Sequence, residues 1–553
     1  MAYDGIVNKC IIAELRKYIL GCKVNKIYEP TKQDIVLNLY GNGQNMNLAI
    51  CTNSNFSRVH LTKHAKPNPI TAPNFCMLLR KHLTGAKILA IDGYDLERII
   101  SISFECYNEL NDKINKKLII EIMGQFSNVI LINENGTILD CLNHVVTKTR
   151  ELLPVRPYEF PTTNKTSFLA LESFEAFYKL FSANFDTSID KTLANLFIGI
   201  SRSFIQNICN KLEISLDTSN KVQLQGLFDE IKKIINNIDT LSVSCYPSFI
   251  KNDYYIDVCQ DNTNSNLSAY LDEFYYDKEQ NKLFTSYRDF LLQFLLSTLS
   301  KYKKRLNHIN DKLKDCDNME NYRLYGELLK SNLYKIKQTP NSIEVFNYYN
   351  NSNISIPLDS SLSPSQNVER YYKKFNKCKN TLEIVSKQKK ETEEELKYIE
   401  SLVYSIQDCS SLQELQEIGT ESEENFGLNA QISSVAKPKE QKSSPKKYEI
   451  NGFTVYVGKN NKQNDLLTKS ANKEDMWFHT QKIHGSHVIL KTEGKEVDFD
   501  TILKCASLAA KNSKAKNSNN VPVDYTFVKY VRKPSGSKPG MAVYVNYKTV
   551  FVN

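Results

Sequence analysis

Apolar and polar residues alternate in short runs at Ile35-Val36-Leu37-Asn38-Leu39, Ile99 to Phe104, Leu118 to Met123 and Val129 to Ile132, the two-residue period of half-buried strands. Between them Asn74 to Leu83 (NFCMLLRKHL) carries apolar side chains at helical spacing, with Gly85 behind it as a stop. A mixed α and β unit is expected up to about residue 160. The Pro-punctuated stretch Leu153 to Pro161 closes it, and Ser167 to Ile238 reads helical. Inside that region Leu193 to Lys211 (LANLFIGISRSFIQNICNK) is helix, a turn at Gly199, then helix again. This is the outline of a helix-hairpin-helix, whose tight turn brings backbone N–H groups near a phosphate, although any helical hairpin can turn at glycine.

The periodicity then lengthens. Leu299, Tyr302, Leu306, Ile309, Leu313 and Cys316 follow 3-4 spacing. So do Val368, Tyr371, Phe375, Cys378, Leu382 and Val385, then Leu396, Ile399, Val403 and Ile406, with Lys389 and Thr392 interrupting the second seam. Two such stretches around an Asn/Ser-rich segment predict an antiparallel coiled-coil arm with a small module at its tip, or an ordinary packed helical pair. Forty helical residues would reach roughly 60 Å. Glu414 to Lys447 is acidic first, then Lys/Ser/Pro-rich, which is linker chemistry. From Tyr448 onward, strand-like runs (Phe453 to Val457, His487 to Leu490, Ala542 to Val545) surround one helix, Asp500 to Lys511.

At 553 residues the chain exceeds one ordinary core, and about three to five units are expected. With 41% apolar and 24% charged residues it is a folded, globular composition. The net charge of +9 is too small for this length to establish a polyanionic partner. Its distribution says more: Lys511 to Gly540 holds seven basic residues and one acid, Asp524, a phosphate-facing patch or a solvated lysine surface. Thirteen cysteines without a CxxC pair form neither a disulfide framework nor a zinc site and fit a reducing compartment. No secretory signal or membrane-length apolar run is present, so a cytoplasmic protein is expected.

Three groups of segments resemble one family, the NFACT proteins, also called Rqc2-like or fibronectin-binding protein A-like. MAYDG at Met1 to Gly5, NFCMLLRKHL at Asn74 to Leu83 and EIMGQFSNVILI at Glu121 to Ile132 resemble its first domain. YRLYGELL at Tyr322 to Leu329 and ERYYKKFNK at Glu369 to Lys377 resemble its arm. GKNNKQNDLLT at Gly458 to Thr468, MWFHTQKIHGSHVIL at Met476 to Leu490 and VDYTFVKYVRKPSGSKPG at Val523 to Gly540 resemble its RNA-binding domain. The resemblance implies an α+β multidomain chain. Residues 1–165 form a domain with the fold of the DNA-glycosylase N-terminal domain, 166–270 a helical region with the helix-hairpin-helix, and 271–415 the antiparallel arm with a small middle module at about 333–365. Residues 416–447 are a linker and 448–553 the C-terminal α/β RNA-binding domain.

Its implied function is ribosome-associated quality control. Such a factor binds a large ribosomal subunit carrying stalled peptidyl-tRNA and recruits a tRNA, expected to be tRNA-Ala, to extend the blocked chain without mRNA. The tail marks the peptide for degradation. Ribosomal RNA and a small RNA-binding helper protein are further expected partners, with no membrane and a monomer on the ribosome. No catalytic residue, cofactor or metal is implied, because the ribosome performs peptidyl transfer. No P-loop occurs either.

The family's Asp-Arg pair falls at Asp95-Leu96-Glu97-Arg98, where Glu97 replaces the acid and Asp95 is the rival. Arg98 would fork onto tRNA phosphate or a guanine edge, or close an internal ion pair. Met123, Gly124, Ser127 and Asn128 of the MGQFSN turn are the second tRNA candidates, or a structural turn. In the last domain His479, His487, Lys529, Arg532, Lys533 and Lys538 are expected to meet RNA or ribosome. Trp477 and Phe478 beside them are stacking faces or core residues, and the histidines lack the cysteine or acidic neighbours of a metal site. Two other functions compete. A surface adhesin would need export, and a glycosylase would need the N-terminal proline, its neighbouring Glu and the zinc-finger cysteines, where this chain has Ala2 and Tyr3.

Overall fold

The structure is a computed structural model; it describes all residues except 1–2, 109, 218–219, 241, 249–252, 259–265, 337–338 and 429–442. The chain divides into two compact units, Met1–Asn281 and Lys282–Asn553.

The first unit begins with α1 (Gly5–Ile19), whose first turn is capped by Asp4, accepting from Val7 N at 3.1 Å. Ile6, Cys10, Ile11, Leu15 and Ile19 recur along one buried face. Strands β1 to β4 follow (Lys23–Thr31, Asp34–Gly41, Gln44–Cys51, Arg58–Thr62), then α2 (Asn74–Leu83) and β5 to β9 (Lys87–Gly93, Ile99–Tyr107, Lys113–Glu121, Asn128–Asn133, Ile138–Cys141). They form one nine-stranded antiparallel sheet in the order β4-β3-β2-β1-β5-β6-β7-β8-β9. Helix α2 starts after Pro73 without a side-chain cap. Glu29, reaching over from β1, accepts from Cys76 N at 3.0 Å instead. A two-residue ladder, β10 (Val145–Val146) with β11 (Glu151–Leu152), lies beyond β9.

Helices α3 to α6 (Phe174–Asn184, Ile189–Leu196, Arg202–Lys211, Lys221–Asn236) add Phe177, Phe181, Leu193, Ile205 and Ile231 to the same core as α1 and α2. The region 166–270 is not wholly helical: β12 (Val243–Pro247) and β13 (Tyr254–Val258) form a hairpin in it. Val243, Tyr254 and Ile256 bury themselves in the core, so β-branched and aromatic residues at period two override the helical surroundings. The long helix α7 (Leu267–Lys314) starts on this unit, where buried Glu14 accepts from Leu267 N at 2.8 Å and Ser268 N at 3.0 Å, a carboxylate at a helix N-terminus.

In the second unit the rest of α7 runs antiparallel to α9 (Pro364–Asp408): Leu291 and Leu295 pack with Ile399, Leu402 and Ile406. The predicted seam residues Ile309, Cys316, Tyr371, Cys378, Val385 and Leu396 are buried, and Thr392 is buried with its hydroxyl bonded to Gln388 O. Between the long helices lie α8 (Met319–Ser331) and a hairpin, β14 (Ser342–Asn347) with β15 (Ser352–Pro357). A capping box, Ser363 with Gln366, and Pro364 in the first turn open α9.

The stretch 416–447, expected as linker, is partly a helix, and its part at 429–442 lies outside the described residues. Helix α10 (Leu412–Phe426) is capped by Ser411, stopped by Gly427 at φ 65°, and packs Leu415 and Ile418 against α7 and α9. Its acids mark a face that meets basic and amide groups of the last domain, while the apolar residues at helical spacing between them drive the burial. That domain starts with β16 at Lys446 (Lys446–Ile450), followed by β17 (Phe453–Val457), α11 (Asn461–Ser470), β18 (Met476–Thr480), β19 (Val488–Leu490) and α12 (Phe499–Lys511). β20 (Val521–Phe527), β21 (Val531–Arg532), β22 (Val543–Tyr544) and β23 (Lys548–Val552) complete it. The antiparallel sheet β16-β17-β19-β18-β20-β23 packs α12 on one face. On the other lie α11 and the β21–β22 ribbon, over Trp477, Ile489 and Val528.

Candidate nucleic-acid interface

In the first unit the start of α1, the Gly199 turn and the Asp95–Arg98 turn meet at one point. Gly5 N donates to Gly199 O at 2.8 Å. A Cβ on either glycine would stand 1.9 Å from Leu96 O, so only two hydrogens allow this approach. Ser201 caps α5, accepting from Phe204 N at 3.1 Å, and donates to Asp4 at 2.6 Å. The hairpin turn of α4 and α5 is thus filled by protein at Gly199.

Within the DLER segment the two acids separate. Asp95 sits at φ 50° with its carboxylate on Leu96 N at 2.8 Å, a turn-holding role. The backbone of Glu97 is fixed by Tyr94 O at 2.9 Å and by the Asn8 amide on its carbonyl at 3.0 Å. Burial raises the Glu97 carboxyl, opposed by the charge of Arg98 and reinforced by Asp95. Burial likewise pushes Asp4 up to about 6, against the Ser201 hydroxyl and, more weakly, Arg98. Arg98 therefore stands in a field of carboxylates that are costly to bury, half-buried itself.

Ile122 N donates to Arg98 O at 2.8 Å, which sets the MGQFSN turn beside that arginine. Gly124 takes φ 64°. Ser127 and Asn128 are buried and used internally: Ser127 accepts from Met123 N at 2.9 Å, and Asn128 bonds Asn143 O at 2.7 Å and Asn143 N at 2.9 Å. Their side chains hold the turn from within. Behind it Glu121 is buried under Arg150, at 3.0 Å, and the Tyr158 hydroxyl, at 2.8 Å. What the turn presents outward is Gln125 and Phe126, the latter 65% exposed. Exposed Tyr94, stacked on Phe160 at 4.8 Å, adds a second aromatic face next to Asp95. Sequence reading passed over Phe126, Tyr94 and Phe160, because an aromatic in a strand-rich segment reads as core.

In the second unit the two predicted histidines differ in burial. His487 is buried, with Nδ1 at 2.9 Å from Thr468 Oγ1, and burial holds its pKa near 3. His479, stacked on Trp477 at 5.6 Å, is held near 4 by the same cause. Both are neutral at neutral pH; His487 is enclosed, while His479 is half-buried and keeps part of its ring at the surface. Trp477 and Phe478 are core on opposite faces of the sheet.

The predicted cations divide. Lys533 pairs with Asp465 at 2.5 Å, Lys529 with Glu474 at 3.1 Å, and Lys538 with Glu395 at 3.2 Å while lying over Tyr398 and Phe426. Arg532 is exposed, with no side-chain partner among the described residues. Helix α10 occupies further basic and amide groups: Glu414 holds Lys459 at 2.8 Å, Glu417 holds Asn460 at 2.6 Å, and Glu424 holds Lys462 at 2.7 Å.

Two clusters among the described residues have metal-ligand spacing, and each is already occupied. Lys66 bridges Asp34 and Glu279 at 3.1 and 2.8 Å beside Cys51. Asp140 pairs with His144 at 2.7 Å while the Cys141 thiol donates to Asn143 O and Leu152 O. Ala2, where a glycosylase-type amine would stand, lies outside the described residues. No helix among those described is long and apolar enough to cross a membrane.

Comparison with known proteins divides the chain at the start of the last domain, before β16. The family model for NFACT N-terminal and middle domains matches residues 4–443, and that for the NFACT protein RNA binding domain matches 446–543. The chain is 33% identical to the Rqc2 homolog RqcH of Bacillus subtilis over 571 residues, covering 100% of this chain and 98% of that protein. It is also 33% identical to RqcH of Streptococcus suis over 559 residues, with the same coverage. Among solved structures, the N-terminal part of the fibronectin/fibrinogen-binding protein from Streptococcus suis is 29% identical, covering 50% of this chain and 99% of that one at a TM-score of 0.40. Matched from end to end in two consecutive blocks, the chain belongs to the NFACT family.

Proposed function

We propose that this chain is a ribosome-associated quality-control factor: it binds large ribosomal subunits that carry stalled peptidyl-tRNA and presents a tRNA, tRNA-Ala by preference, for mRNA-independent tailing of the blocked peptide. The work is positioning and electrostatic capture, with the peptide bond made by the ribosome. The observation that carries the reading is the junction of Gly5, Gly199 and Leu96, which holds Arg98 and Glu97 on a rigid turn between exposed Tyr94 and Phe126. An arginine on adjoining turns that also carry exposed aromatic side chains suits an RNA loop, whose bases stack while its phosphates or guanine edges take the charge. Glu97 supports Arg98; Asp95, Ser127 and Asn128 shape the turns; Met123 and Gly124 border the contact. The C-terminal domain and the arm hold ribosomal RNA and the subunit, a small RNA-binding protein assists, and the factor acts as a cytoplasmic monomer.

The test is purification of the tagged chain from its own cells, sequencing of bound RNA, and a tailing assay. Large-subunit ribosomal RNA and one tRNA class are the expected enrichment. Glu97→Ala with Arg98→Ala abolishes tailing and tRNA recovery while large-subunit binding persists. Recovery of neither RNA by the wild-type chain refutes the function, and joint loss of subunit and tRNA in the double variant refutes the division of labour.

A further inference from the structure

The nine-stranded sheet of the first unit packs α1 and α2 on one face, and the strand register fixes which side chains stand on the other. One row crosses six strands. Asn45 of β3 lies opposite Tyr40 of β2, and Tyr40 opposite Lys23 of β1. Lys23 in turn lies opposite Lys87 of β5, Lys87 opposite Glu105 of β6, and Glu105 opposite Asn115 of β7. Cross-strand partners share a face. The adjoining residues along these strands, Leu39, Val24, Ile88 and Phe104, are buried in the core, so the row points away from it. Two positions along, Ser103 pairs with Lys117, and Asn38 with Lys26 and Asn47. Side-chain contacts agree with this grouping: the Asn38 amide donates to Asn47 at 2.8 Å, and Lys113, opposite Tyr107, meets Glu105 at 3.3 Å.

The charge on this face is one-sided. Lys23, Lys26, Lys87 and Lys117 are exposed, and their side chains have no partner among the described residues, while Glu105, the one acid in these rows, is taken by Lys113. Lys23 and Lys87 stand directly opposite each other, where like charges repel. An anion lying over both removes that repulsion. The exposed rings of Tyr40 on β2 and Tyr107 on β6 are three strand spacings apart, about 14 Å, too far for successive bases to stack on them. Lysines and amides between them suit the phosphates and 2′-hydroxyls of base-paired RNA instead. The same face leads to the Arg98 turn. Ile99 and Ile119 share the side of Glu105 and Lys117 by strand parity, and Tyr158 packs on their cluster. Tyr158 meets Phe160 at 5.2 Å, and Phe160 stacks on Tyr94 at 4.8 Å. Tyr94 and the lysines therefore lie on one side of the sheet, and the six residues from Ile99 to Glu105 span about 20 Å between them.

We infer that this open sheet face carries the paired stem of the tRNA whose loop sits on the Arg98 turn, with stem phosphates on Lys23, Lys87 and Lys117. The inference rests on the reading of the chain as a tRNA-binding factor and adds to it a second, sequence-independent contact. The experiment is hydroxyl-radical footprinting of a labelled tRNA-Ala transcript on the full chain, with affinities measured at several salt concentrations and co-sedimentation with large subunits alongside. The wild-type chain protects loop and stem. Lys23→Gln with Lys87→Gln loses stem protection, keeps loop protection, and lowers the slope of log affinity against log salt by about 1.8, or roughly 0.9 for each lost phosphate contact. Lys23→Arg with Lys87→Arg, which keeps the charges, restores both. Both positions are exposed, and melting of the glutamine variant at or above the wild-type temperature certifies its fold, because a like-charge pair has been removed. A protected loop with an unprotected stem in the wild-type complex overturns the inference, as does an unchanged stem footprint in the glutamine variant. A glutamine variant that keeps the stem footprint but loses large subunits also overturns it, by making the face a ribosome contact. Absence of any tRNA protection by the wild-type chain instead strikes at the broader reading.

Discussion

Gly199→Ala tests whether the junction in the first unit is the rigid support it is taken to be. Gly199 has φ 68°, and a Cβ there would meet Leu96 O at 1.9 Å and Leu96 C at 2.8 Å. The left-handed conformation costs an L-residue about 1–2 kcal/mol. A methyl group driven into backbone cannot be relieved by a rotamer change, and overpacking of this kind costs about 1–3 kcal/mol. The less flexible unfolded chain of an alanine variant returns about 0.4–1 kcal/mol. The net loss is about 3 kcal/mol, or roughly 6–12 °C in the melting of a unit this size. Gly43→Ala is the control, because Gly43 has φ 75° with nothing within 4 Å of a built Cβ. It carries the conformational cost alone, about 1 kcal/mol. Calorimetry of the two variants isolates the clash, and equal melting shifts would refute the argument that Gly5, Gly199 and Leu96 are locked. Since Leu96 lies between Asp95 and Glu97, a displaced Leu96 carbonyl also moves Arg98, so Gly199→Ala weakens tRNA recovery more than Gly43→Ala does.

Val155 is a β-branched residue at φ 69° and 82% exposed, so Val155→Gly relieves about 1–2 kcal/mol of left-handed strain, less about 0.4–1 kcal/mol for the freer unfolded chain, and stabilises the first unit by up to about 1 kcal/mol in urea melts. His487 is held near pKa 3 when folded, below its ordinary value of about 6.5. Below that value the unfolded chain takes up the proton first, so His487 alone takes roughly 2 kcal/mol from the second unit at pH 5, and His479, held near 4, adds to the loss. His487→Gln removes its share of that slope and leaves the share of His479, read from urea melts between pH 7 and pH 5. Lys538→Ala strips Glu395 of its cation and uncovers Tyr398 and Phe426, which costs about 1 kcal/mol of thermal stability, while Arg532→Ala costs nothing measurable.

Local periodicity made much of the scaffold legible. Asn74 to Leu83 (NFCMLLRKHL) were expected as a helix and form α2 with those bounds, because Phe75, Cys76, Leu79 and Leu83 make one apolar face and Pro73 with Gly85 mark its ends. The seam of α7 and α9 was readable for the same reason, including its break at Thr392, which satisfies its hydroxyl within its own helix. Helix α10 was missed because its acids look like a solvated linker until Lys459, Asn460 and Lys462 are placed opposite them. His487 misled in the reverse direction: beside a basic loop it reads as a contact, yet Thr468 in α11 and the Trp477 ring enclose it.

The cations show where sequence reading reaches its physical limit. In KYVRKPSGSKPG, Lys529, Arg532, Lys533 and Lys538 are equivalent as letters, four charges in one basic run. The acids that distinguish them come from elsewhere: Glu474 and Asp465 precede β18, and Glu395 belongs to α9. Pairing across such separations is a property of tertiary packing, so no local pattern records it. A paired lysine has already exchanged part of its hydration for an internal partner, and recruiting it to phosphate means breaking that contact first. Among the described residues Arg532 has no such contact to break, and its bidentate fork suits a phosphate. Of the four, the residue whose charge the fold leaves unpaired among the described residues is therefore the one through which a polyanion gains most.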